Sequence, residues 1–524
     1  VADEYGVQLR NSLEYTAQKL EEIKASVLNE RGLSGRFWET YLRPSIDNFQ
    51  EKLSSLSSLE KSYFYALYNF ITKELYTSIS GDVDYEGCTG AASLWLSTLA
   101  EKCESGEIIY DLRIKENHAA DEHKAHLLLV PSAPPGMPAE DASDVLPNFR
   151  QGDAIVLYER NSDADNVTNK MVFKGNIDFL NENEICIRLR ATQQNSSVLP
   201  SDSLYAIEHD AMDTTFRSMY QGLYAFMSAT KERRDLLLSQ REPQFDETLN
   251  AQIAEAANDF LRIALKAKAA KDYFLLVGPP GTGKTSCALK KMVETFYEDE
   301  NAQILLLSYT NRAVDEICKA LSSIRPEVDF IRVGSELSCD ESYHLIENEL
   351  AACMRRSEVY ERINRCRILV GTVASISAKP ELFRLKHFNV AIVDEATQIL
   401  EPQLLGILCA RGENGKDAVD KFILIGDHKQ LPAVVLQNSE QSEIYDESLS
   451  AIGLKNLKDS LFERLYRTVR QHTDAHHLYD MLCRQGRMHP KVALFANRAF
   501  YEGRLLPVGL PHQLEDSEHI DRLV

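Results

Sequence analysis

The sequence predicts an α/β protein in which a parallel sheet is preceded by a helical N-terminal region and by a small β-barrel with a helical stalk. Three observations support this fold class. Residues 273–435 alternate apolar, strand-like runs with helical patterns, which is typical of a parallel sheet. Residues 125–190 contain short β-type runs separated by turn-forming residues, which favours a small barrel. A glycine-rich loop at 278–285 joins an apolar run to a helical pattern.

The N-terminal region, 1–122, is predicted to be mainly helical. An aromatic-rich helical stretch at 63–71 is interpreted as core. Before it, apolar residues recur at three- and four-residue intervals, as they do on one face of an amphipathic helix. These residues are Leu9, Leu13, Ala17, Leu20, Ile23 and Val27.

The second region, 123–210, is predicted to be the barrel, and residues 211–245 are predicted to form a stalk helix. The strand-like runs lie at 125–130, 153–158, 171–177 and 184–190. In the last run Arg188 and Arg190 alternate with apolar neighbours, so they share one face. That face is interpreted as solvated, and contact with a nucleic acid remains an alternative.

The loop at 278–285 has the pattern of a phosphate-binding loop. Its glycines allow backbone N–H groups to turn toward phosphates, and the helix that follows adds a partial positive charge. Lys284 is expected to reach the β- and γ-phosphates and Thr285 to bind Mg²⁺. The alternative is a glycine-rich turn with an incidental lysine. The residues predicted to contact the nucleotide here are Gly278, Pro279, Pro280, Gly281, Thr282, Gly283, Lys284, Thr285 and Ser286.

Two adjacent acids end the apolar run at 389–393. At the carboxyl edge of a parallel sheet, Asp394 and Glu395 would face the nucleotide crevice. Asp394 suits a role in binding Mg²⁺, and Glu395 suits polarising the attacking water. Without the phosphate-binding loop upstream, a surface turn would account for the two acids equally well.

Other polar residues follow further strands. Gln430, after the run at 421–425, is positioned to sense a γ-phosphate. Arg487 is the candidate for the additional positive charge that phosphoryl transfer needs. Thr310 and Asn311, after the run at 304–307, suit contacts with the phosphates of a bound strand.

Composition limits the class of protein. The 524 residues include 58 Lys and Arg against 79 Asp and Glu, a net charge of −21, so any nucleic-acid binding must use local basic surface. No apolar run approaches the roughly 20 residues of a membrane span, and no signal peptide is visible. The ten cysteines form no CxxC pair, which argues against zinc, iron–sulfur and disulfide frameworks. We expect an intracellular protein with no membrane partner, cytoplasmic or, in a eukaryote, nuclear.

Together these motifs resemble those of the superfamily 1B helicases, over about 246–524. The matching segments are motif I at 278–285, motif Ia at 308–315, motif Ic at 371–375, motif II at 394–398, motif III at 426–432 and, from the second motor domain, 485–490 with 500–505. The resemblance implies a motor that uses ATP and Mg²⁺ to move 5′ to 3′ on single-stranded nucleic acid. It implies two RecA-like domains, here 246–480 and the start of a second at 481–524. It also implies that Thr372 contacts the nucleic acid.

The resemblance bears on two further positions. Gln252 resembles the glutamine that reads adenine, although the run Leu249-Asn250-Ala251-Gln252 is one residue tighter than the usual pattern. Gly486 stands where the family usually has a tyrosine whose ring can stack on adenine, so nucleotide selectivity is expected to be relaxed. Since the later motifs of the second domain do not occur before Val524, we expect a fragment of a longer helicase, truncated within that domain.

Three alternatives remain open from the sequence. The chain could bind ATP and a strand yet turn ATP over poorly. A P-loop switch protein is disfavoured because no Asn-Lys-x-Asp guanine reader occurs. A metal site at His472 and His476, one helical turn apart, lacks a third ligand at a telling spacing, and a solvated helix face accounts for these residues better. The sequence does not distinguish DNA from RNA.

Overall fold

The computed structural model describes most of the chain. The described residues are 13–24, 34–80, 97–122, 124–132, 148–181, 183–210, 214–335, 344–471 and 476–514, with the single positions 26, 29, 32 and 339. They form two compact units, one running from Glu74 to Thr214 and one combining the residues up to Lys73 with those from Thr215 onward.

Between 273 and 435 the strands alternate with helices, as predicted. The strands are β1 Ile108–His118, β2 His126–Pro131, β3 Ala154–Glu159, β4 Val172–Leu180, β5 Ile185–Leu189, β6 Tyr205–His209, β7 Tyr273–Val277, β8 Ile304–Ser308, β9 Phe330–Val333, β10 Ile368–Thr372, β11 Phe388–Val393, β12 Val419–Gly426, β13 Tyr479–Met481, β14 Arg484–Gln485 and β15 Leu506–Pro507. The α-helices are α1 Leu13–Glu21, α2 Arg43–Ser55, α3 Ser58–Ser80, α4 Leu99–Ser105, α5 Thr214–Ser228, α6 Lys231–Leu237, α7 Asn250–Ala254, α8 Asp259–Ala269, α9 Lys290–Tyr297, α10 Asn311–Ser322, α11 Ile346–Leu350, α12 Arg356–Arg365, α13 Val373–Ser377, α14 Leu382–Leu385, α15 Glu401–Leu408, α16 Glu447–Ala451, α17 Leu461–Gln471, α18 Pro490–Phe500 and α19 Pro511–Leu514. Short π-helical turns cover Trp38–Leu42 and Lys284–Leu289, and 3₁₀ turns cover Ser196–Val198, Glu247–Leu249, Ala396–Gln398 and Ser439–Ser442.

The smaller unit contains a closed antiparallel barrel with the strand order β1-β2-β5-β4-β3-β6. Its interior is apolar, and side chains such as Leu127, Ile155 and Ile187 are fully buried there. Strand β1 lies within 1–122, a region that the sequence was expected to make helical. The correction has a visible cause, because apolar Leu112 and Ile114 alternate with polar neighbours at the period of a strand.

The two arginines near the end of β5 are engaged in ion pairs. Arg188 donates to Asp178 at 2.9 Å, and Arg190 donates to Asp210 at 3.2 Å. Each arginine side chain is about a third exposed or less, at 26% and 35%. Their charge is therefore balanced within the barrel.

The larger unit is organised around a seven-stranded sheet with the order β13-β7-β12-β11-β8-β10-β9. Every neighbouring pair of strands is parallel. All residues of β7, β8 and β10 are buried, as expected for strands covered by helices on both faces. The predicted fold class, a RecA-like parallel sheet with N-terminal helices and a small barrel, is confirmed. Among the described residues, no helix is both long and apolar enough to cross a bilayer.

Residues 211–245, expected to be one stalk helix, contain two helices. Between α5 and α6, Thr230 has an extended backbone, with φ −60° and ψ 150°. Its hydroxyl accepts the backbone N–H of Arg233 at 3.2 Å. A threonine in this role starts a new helix, so the chain breaks and restarts here.

A buried ion pair joins α15 and α17 in the larger unit, and a hydrogen bond from α3 adds to it. The Arg464 guanidinium donates to both carboxylate oxygens of Glu401, with a shortest distance of 2.6 Å. The Tyr63 hydroxyl donates to the same carboxylate at 2.5 Å. All three residues are fully buried, so neither charge has water as an alternative partner.

We expect Glu401→Gln to destabilise the fold, because it leaves the Arg464 charge buried without a counter-charge. The free energy of unfolding should fall by about 3 kcal/mol, the usual scale for breaking a buried pair from one side. Chemical unfolding followed by circular dichroism measures this change. The matched control is Glu413→Gln at an exposed position. A loss no larger than that of the control would contradict the prediction.

Candidate nucleotide-binding site

The order of the sheet brings three polar segments to one edge. Strands β7, β12 and β11 are adjacent and parallel, and Val277 lies opposite Gly426 in register. Their carboxyl ends are followed by the loop at 278–283, by Asp427 and by Asp394, respectively. In open parallel sheets ligands bind in the crevice at this edge.

The glycines of the loop are required by close approaches and by backbone angles. A Cβ atom at Gly278 would lie 2.1 Å from Cγ of Lys284, so only a bare backbone leaves room for the lysine stem. Gly281 and Gly283 have φ angles of +73° and +78°, which L-residues rarely adopt. The Thr282 hydroxyl closes the loop by donating to the Pro279 carbonyl at 2.7 Å.

The loop runs directly into the π-helical turn 284–289 and then into α9. Backbone N–H groups at the start of a helix have no partner within it and carry partial positive charge. Ser286 is exposed in this turn, beside Thr285. The arrangement suits the binding of an anion such as a phosphate.

The structure joins the phosphate-binding loop to the two acids after β11. The Lys284 ammonium lies 2.8 Å from Oε1 of Glu395. The Thr285 hydroxyl donates to Oδ2 of Asp394 at 2.5 Å. Thr285 and Asp394 are 109 positions apart in sequence, and the sheet brings the two pairs of residues into direct contact.

Asp394 is an acid in an unfavourable environment for its charge. Its side chain is almost fully buried, at 1% exposure, and burial raises its pKa from 3.8 to about 6. Glu395 adds to the rise, whereas the hydrogen bond from Thr285 and the charge of Lys284 oppose it. A bound cation would restore the ionised form.

The backbone of Glu395 is strained. Its φ of +53° and ψ of +36° are in the left-handed region, which is uncommon for a residue with a side chain. Gln398 donates to the other carboxylate oxygen of Glu395 at 3.2 Å. Strain of this kind persists where the surrounding structure fixes a side chain in a required position.

The hydroxyl of Thr285 and the carboxylate of Asp394 fit Mg²⁺, which prefers oxygen ligands and usually takes few of them from a protein. Among the residues that the structure describes, no group of three or more His, Cys, Asp or Glu side chains is arranged to hold a metal ion. An ion here would therefore take most of its ligands from phosphates and water.

Gln430 follows β12 at the same edge of the sheet, and its side chain is bonded to Asp427. Its side-chain amide donates to Oδ2 of Asp427 at 2.7 Å, and the Tyr501 hydroxyl donates to the same oxygen at 2.7 Å. The pattern of the sequence pointed to Gln430 and gave no role to Asp427 or Tyr501.

Arg487 reaches the phosphate-binding loop through its backbone. The N–H of Gly486 donates to the Gly281 carbonyl at 2.9 Å, and a Cβ at Gly281 would lie 2.4 Å from that of Arg487. Buried Gln485 accepts the N–H of Arg487 at 3.1 Å. The Arg487 side chain is exposed and forms no ion pair with any described residue.

Gln252 is less closely tied to the site. It lies on α7 with its side chain exposed and makes no side-chain hydrogen bond within the described part of the chain. Phe260 is the aromatic residue near the loop, 3.8 Å from the position of a Cβ at Gly283.

The residues predicted to contact nucleic acid lie at the carboxyl ends of the neighbouring strands β8 and β10. Thr310 and Thr372 are both helix N-caps, and their hydroxyls accept backbone N–H groups at 3.2 and 3.0 Å. Asn311 is exposed at the first position of α10. Thr372 is buried, at 6% exposure, and its hydroxyl is engaged in capping α13.

The histidine alternative lies partly outside the described residues, which exclude His472. His476 contacts the Tyr479 hydroxyl at 3.1 Å, and the His477 ring packs against Phe245. The described contacts of these two histidines are therefore with aromatic side chains.

Comparison with known proteins places these motifs in a family context. A family model described as an AAA domain matches residues 248–358 and 346–438. The DNA replication ATP-dependent helicase/nuclease DNA2 of Bos taurus is 27% identical over 433 residues, covering 79% of this chain and 36% of the relative. The Homo sapiens protein of the same name is 30% identical over 333 residues, covering 60% and 28%. The Xenopus laevis protein is 25% identical over 520 residues, covering 95% and 43%.

Among solved structures, the chain is similar to the arterivirus nonstructural protein 10 helicase in complex with DNA. The TM-score is 0.27 at 16% identity, covering 48% of this chain and 43% of that one. The chain spans between 28% and 43% of the length of the three curated relatives. The AAA domain and the distant homology to the DNA2 proteins confirm the resemblance to superfamily 1B helicases.

We expect Asp394→Asn to stabilise the nucleotide-free protein at neutral pH. Because the pKa of Asp394 is raised to about 6, the folded protein binds a proton more readily than the unfolded chain between about pH 4 and 6. The free energy of unfolding therefore falls as pH rises through this window. The variant should gain about 1–3 kcal/mol at pH 7.5 and nothing near pH 4.

Chemical unfolding of wild type and variant across this pH range tests the prediction, with Glu300→Gln at an exposed position as the control. A stability difference that is independent of pH would show that burial of the Asp394 charge is not the cause.

Proposed function

We propose that this chain, a distant homologue of the DNA2-type superfamily 1B helicases, is an ATP-driven motor that moves 5′ to 3′ along single-stranded nucleic acid. One observation carries the proposal. The phosphate-binding loop and the two acids after β11 meet through Thr285–Asp394 and Lys284–Glu395, at 2.5 and 2.8 Å. Loop, hydroxyl, lysine and paired acids are the parts that ATP hydrolysis requires.

Binding of ATP would begin with an exchange of partners. The N–H groups of the loop and Lys284 bind the phosphates, so the lysine leaves Glu395. Thr285 and Asp394 are the residues that would hold Mg²⁺, which supplies positive charge to the phosphates when bound. Gln252 is assigned to the adenine base. Gly486 provides no aromatic ring to stack on that base.

Hydrolysis then depends on the carboxylate that Lys284 releases. Glu395 becomes free to accept a hydrogen bond from the attacking water, and Gln398 restrains its orientation. Gln430 would turn from Asp427 toward the γ-phosphate. Arg487, exposed next to Gly281, supplies charge to the transferred group.

The nucleic acid is assigned to the carboxyl edge beyond β8 and β10. Thr310, Asn311 and Thr372 lie there at helix N-termini, where backbone N–H groups suit phosphate oxygens. The DNA replication proteins among the relatives favour DNA over RNA and a nuclear setting in a eukaryote. In this proposal 246–480 is the first motor domain and 481–524 begins the second, with 123–210 and 211–245 guiding the strand.

A second function is an ATP-binding, strand-binding module with little turnover. The observation that favours it is the position of Gln430, whose amide is bonded to Asp427. If Gln430 stays there when ATP binds, a phosphate-sensing group is missing and hydrolysis is slow.

A pair of variants tests the assignment of the site. Lys284→Ala should lose ATP binding, because the phosphates lose their side-chain cation. Glu395→Gln should keep binding and lose hydrolysis by about a hundredfold or more, because the amide cannot accept a proton from water. Fluorescent-nucleotide titration and phosphate release measure the two steps, with Glu413→Gln as the control. Hydrolysis by Lys284→Ala at the wild-type rate would refute the site.

The proposed substrate is tested by polymer stimulation. We expect single-stranded DNA to raise the rate of ATP hydrolysis at least about tenfold in wild type, and single-stranded RNA to raise it less, while Lys284→Ala shows no hydrolysis with either. Equal rates with and without either polymer, together with intact ATP binding, would favour the binding module instead.

A further inference from the structure

The carboxylate of Asp427 is a buried junction between two segments. Its residue is 1% exposed, and both Gln430 and Tyr501 donate to the same oxygen at 2.7 Å. The other oxygen accepts the backbone N–H of Lys429 at 3.0 Å. A buried carboxylate needs such donors, since water cannot replace them.

Tyr501 is placed by the end of α18. It directly follows that helix, and the next two residues, Glu502 and Gly503, have φ angles of +56° and +74°. This tight turn returns the chain to β15, which pairs with β14. The positive φ of Glu502 is a strained backbone conformation for a residue that has a side chain. Such strain is expected where the surrounding structure fixes the turn.

Arg487 lies near the other end of α18, in the loop between β14 and the helix. Gly486 is bonded to Gly281 of the phosphate-binding loop at 2.9 Å. The buried Gln485 side chain accepts the N–H groups of Arg487 and Met488 at 3.1 and 2.8 Å. The helix is therefore attached to the sheet edge at both ends, at the phosphate-binding loop and at Asp427.

We propose that Tyr501 is a positioning residue for ATP hydrolysis, which holds α18 and Arg487 against the site through its hydrogen bond to Asp427 and allows Gln430 to leave that carboxylate. The inference rests on the proposed function. It goes beyond that function by assigning a role to Tyr501, whose hydroxyl is bonded to Asp427.

The reason for this role lies in Oδ2 of Asp427, which accepts hydrogen bonds from both Gln430 and Tyr501. With Tyr501 in place, Asp427 keeps a side-chain donor when the Gln430 amide turns to a γ-phosphate. Without the hydroxyl, Gln430 is the remaining side-chain donor, and its departure leaves a buried carboxylate under-satisfied. Burial, and then Asp427, raise the pKa of the Tyr501 hydroxyl, so it stays protonated and donates.

The test is Tyr501→Phe, which removes the hydroxyl and keeps the ring. We expect kcat for ATP hydrolysis to fall about tenfold, the scale of one hydrogen bond to a charged group, while KM for ATP stays within about twofold. The matched control is Tyr445→Phe, whose hydroxyl donates to Glu443 at 3.0 Å on an 81% exposed side chain. This variant should keep the wild-type kcat.

Two further measurements separate positioning from a structural effect. In the Tyr501→Phe background, Arg487→Ala should cause less additional loss of kcat than it does in wild type, because both changes act on one unit. Without nucleotide, amide hydrogen exchange over 490–500 should be faster in Tyr501→Phe, while exchange over α8 stays unchanged.

The proposal is overturned by unchanged kcat, by a rise in KM alone, or by unchanged exchange over 490–500. If Tyr501→Phe does not fold, Tyr501→Phe with Asp427→Asn removes the unsatisfied charge, and the same readouts apply. A wild-type chain that binds but does not hydrolyse ATP contradicts the proposed function. The exchange experiment then still decides whether Tyr501 anchors α18.

Discussion

The parallel pairing of β7, β12 and β11 is the constraint on which the candidate site depends. Because these strands are adjacent and their carboxyl ends align, three segments distant in sequence meet at one edge. Lys284 and Thr285 come from one segment, Asp394 and Glu395 from another. The strands are almost wholly buried, so a slip in register would place apolar residues where the acids now lie. The chemistry of the site is thus a consequence of sheet order.

Much of this arrangement was predictable from sequence. Buried parallel strands appear as uninterrupted apolar runs, and a glycine-rich loop between such a run and a helix is typical of a phosphate-binding site. The contact between the loop and Asp394–Glu395 followed once the acids were placed at the end of a strand. The short β-runs likewise predict a barrel, although β1 falls within the region predicted to be helical, because its alternation is confined to a few residues around Leu112 and Ile114.

Other features depend on contacts that a sequence does not display. Thr230 divides the stalk into α5 and α6 by capping a new helix. A single threonine within a stretch of helical apolar spacing does not by itself predict such a cap. The junction at Asp427 requires knowing that Tyr501, 74 positions away, returns to the same carboxylate. The engagement of Gln430 with Asp427 is also a property of the folded edge, because local pattern indicates only that a polar side chain follows β12.

The ion pair of Lys284 with Glu395 neutralises both charges within the site. Because Glu395 already pairs with the Lys284 ammonium, a phosphate that binds gains only the difference in free energy between the two ion pairs. Under the proposed function, the same carboxylate can pair with the lysine again when phosphate leaves, which offsets part of the free energy lost on release. Under the proposed function, a chain that repeats this cycle depends more on reversible binding of the nucleotide than on the tightest possible binding.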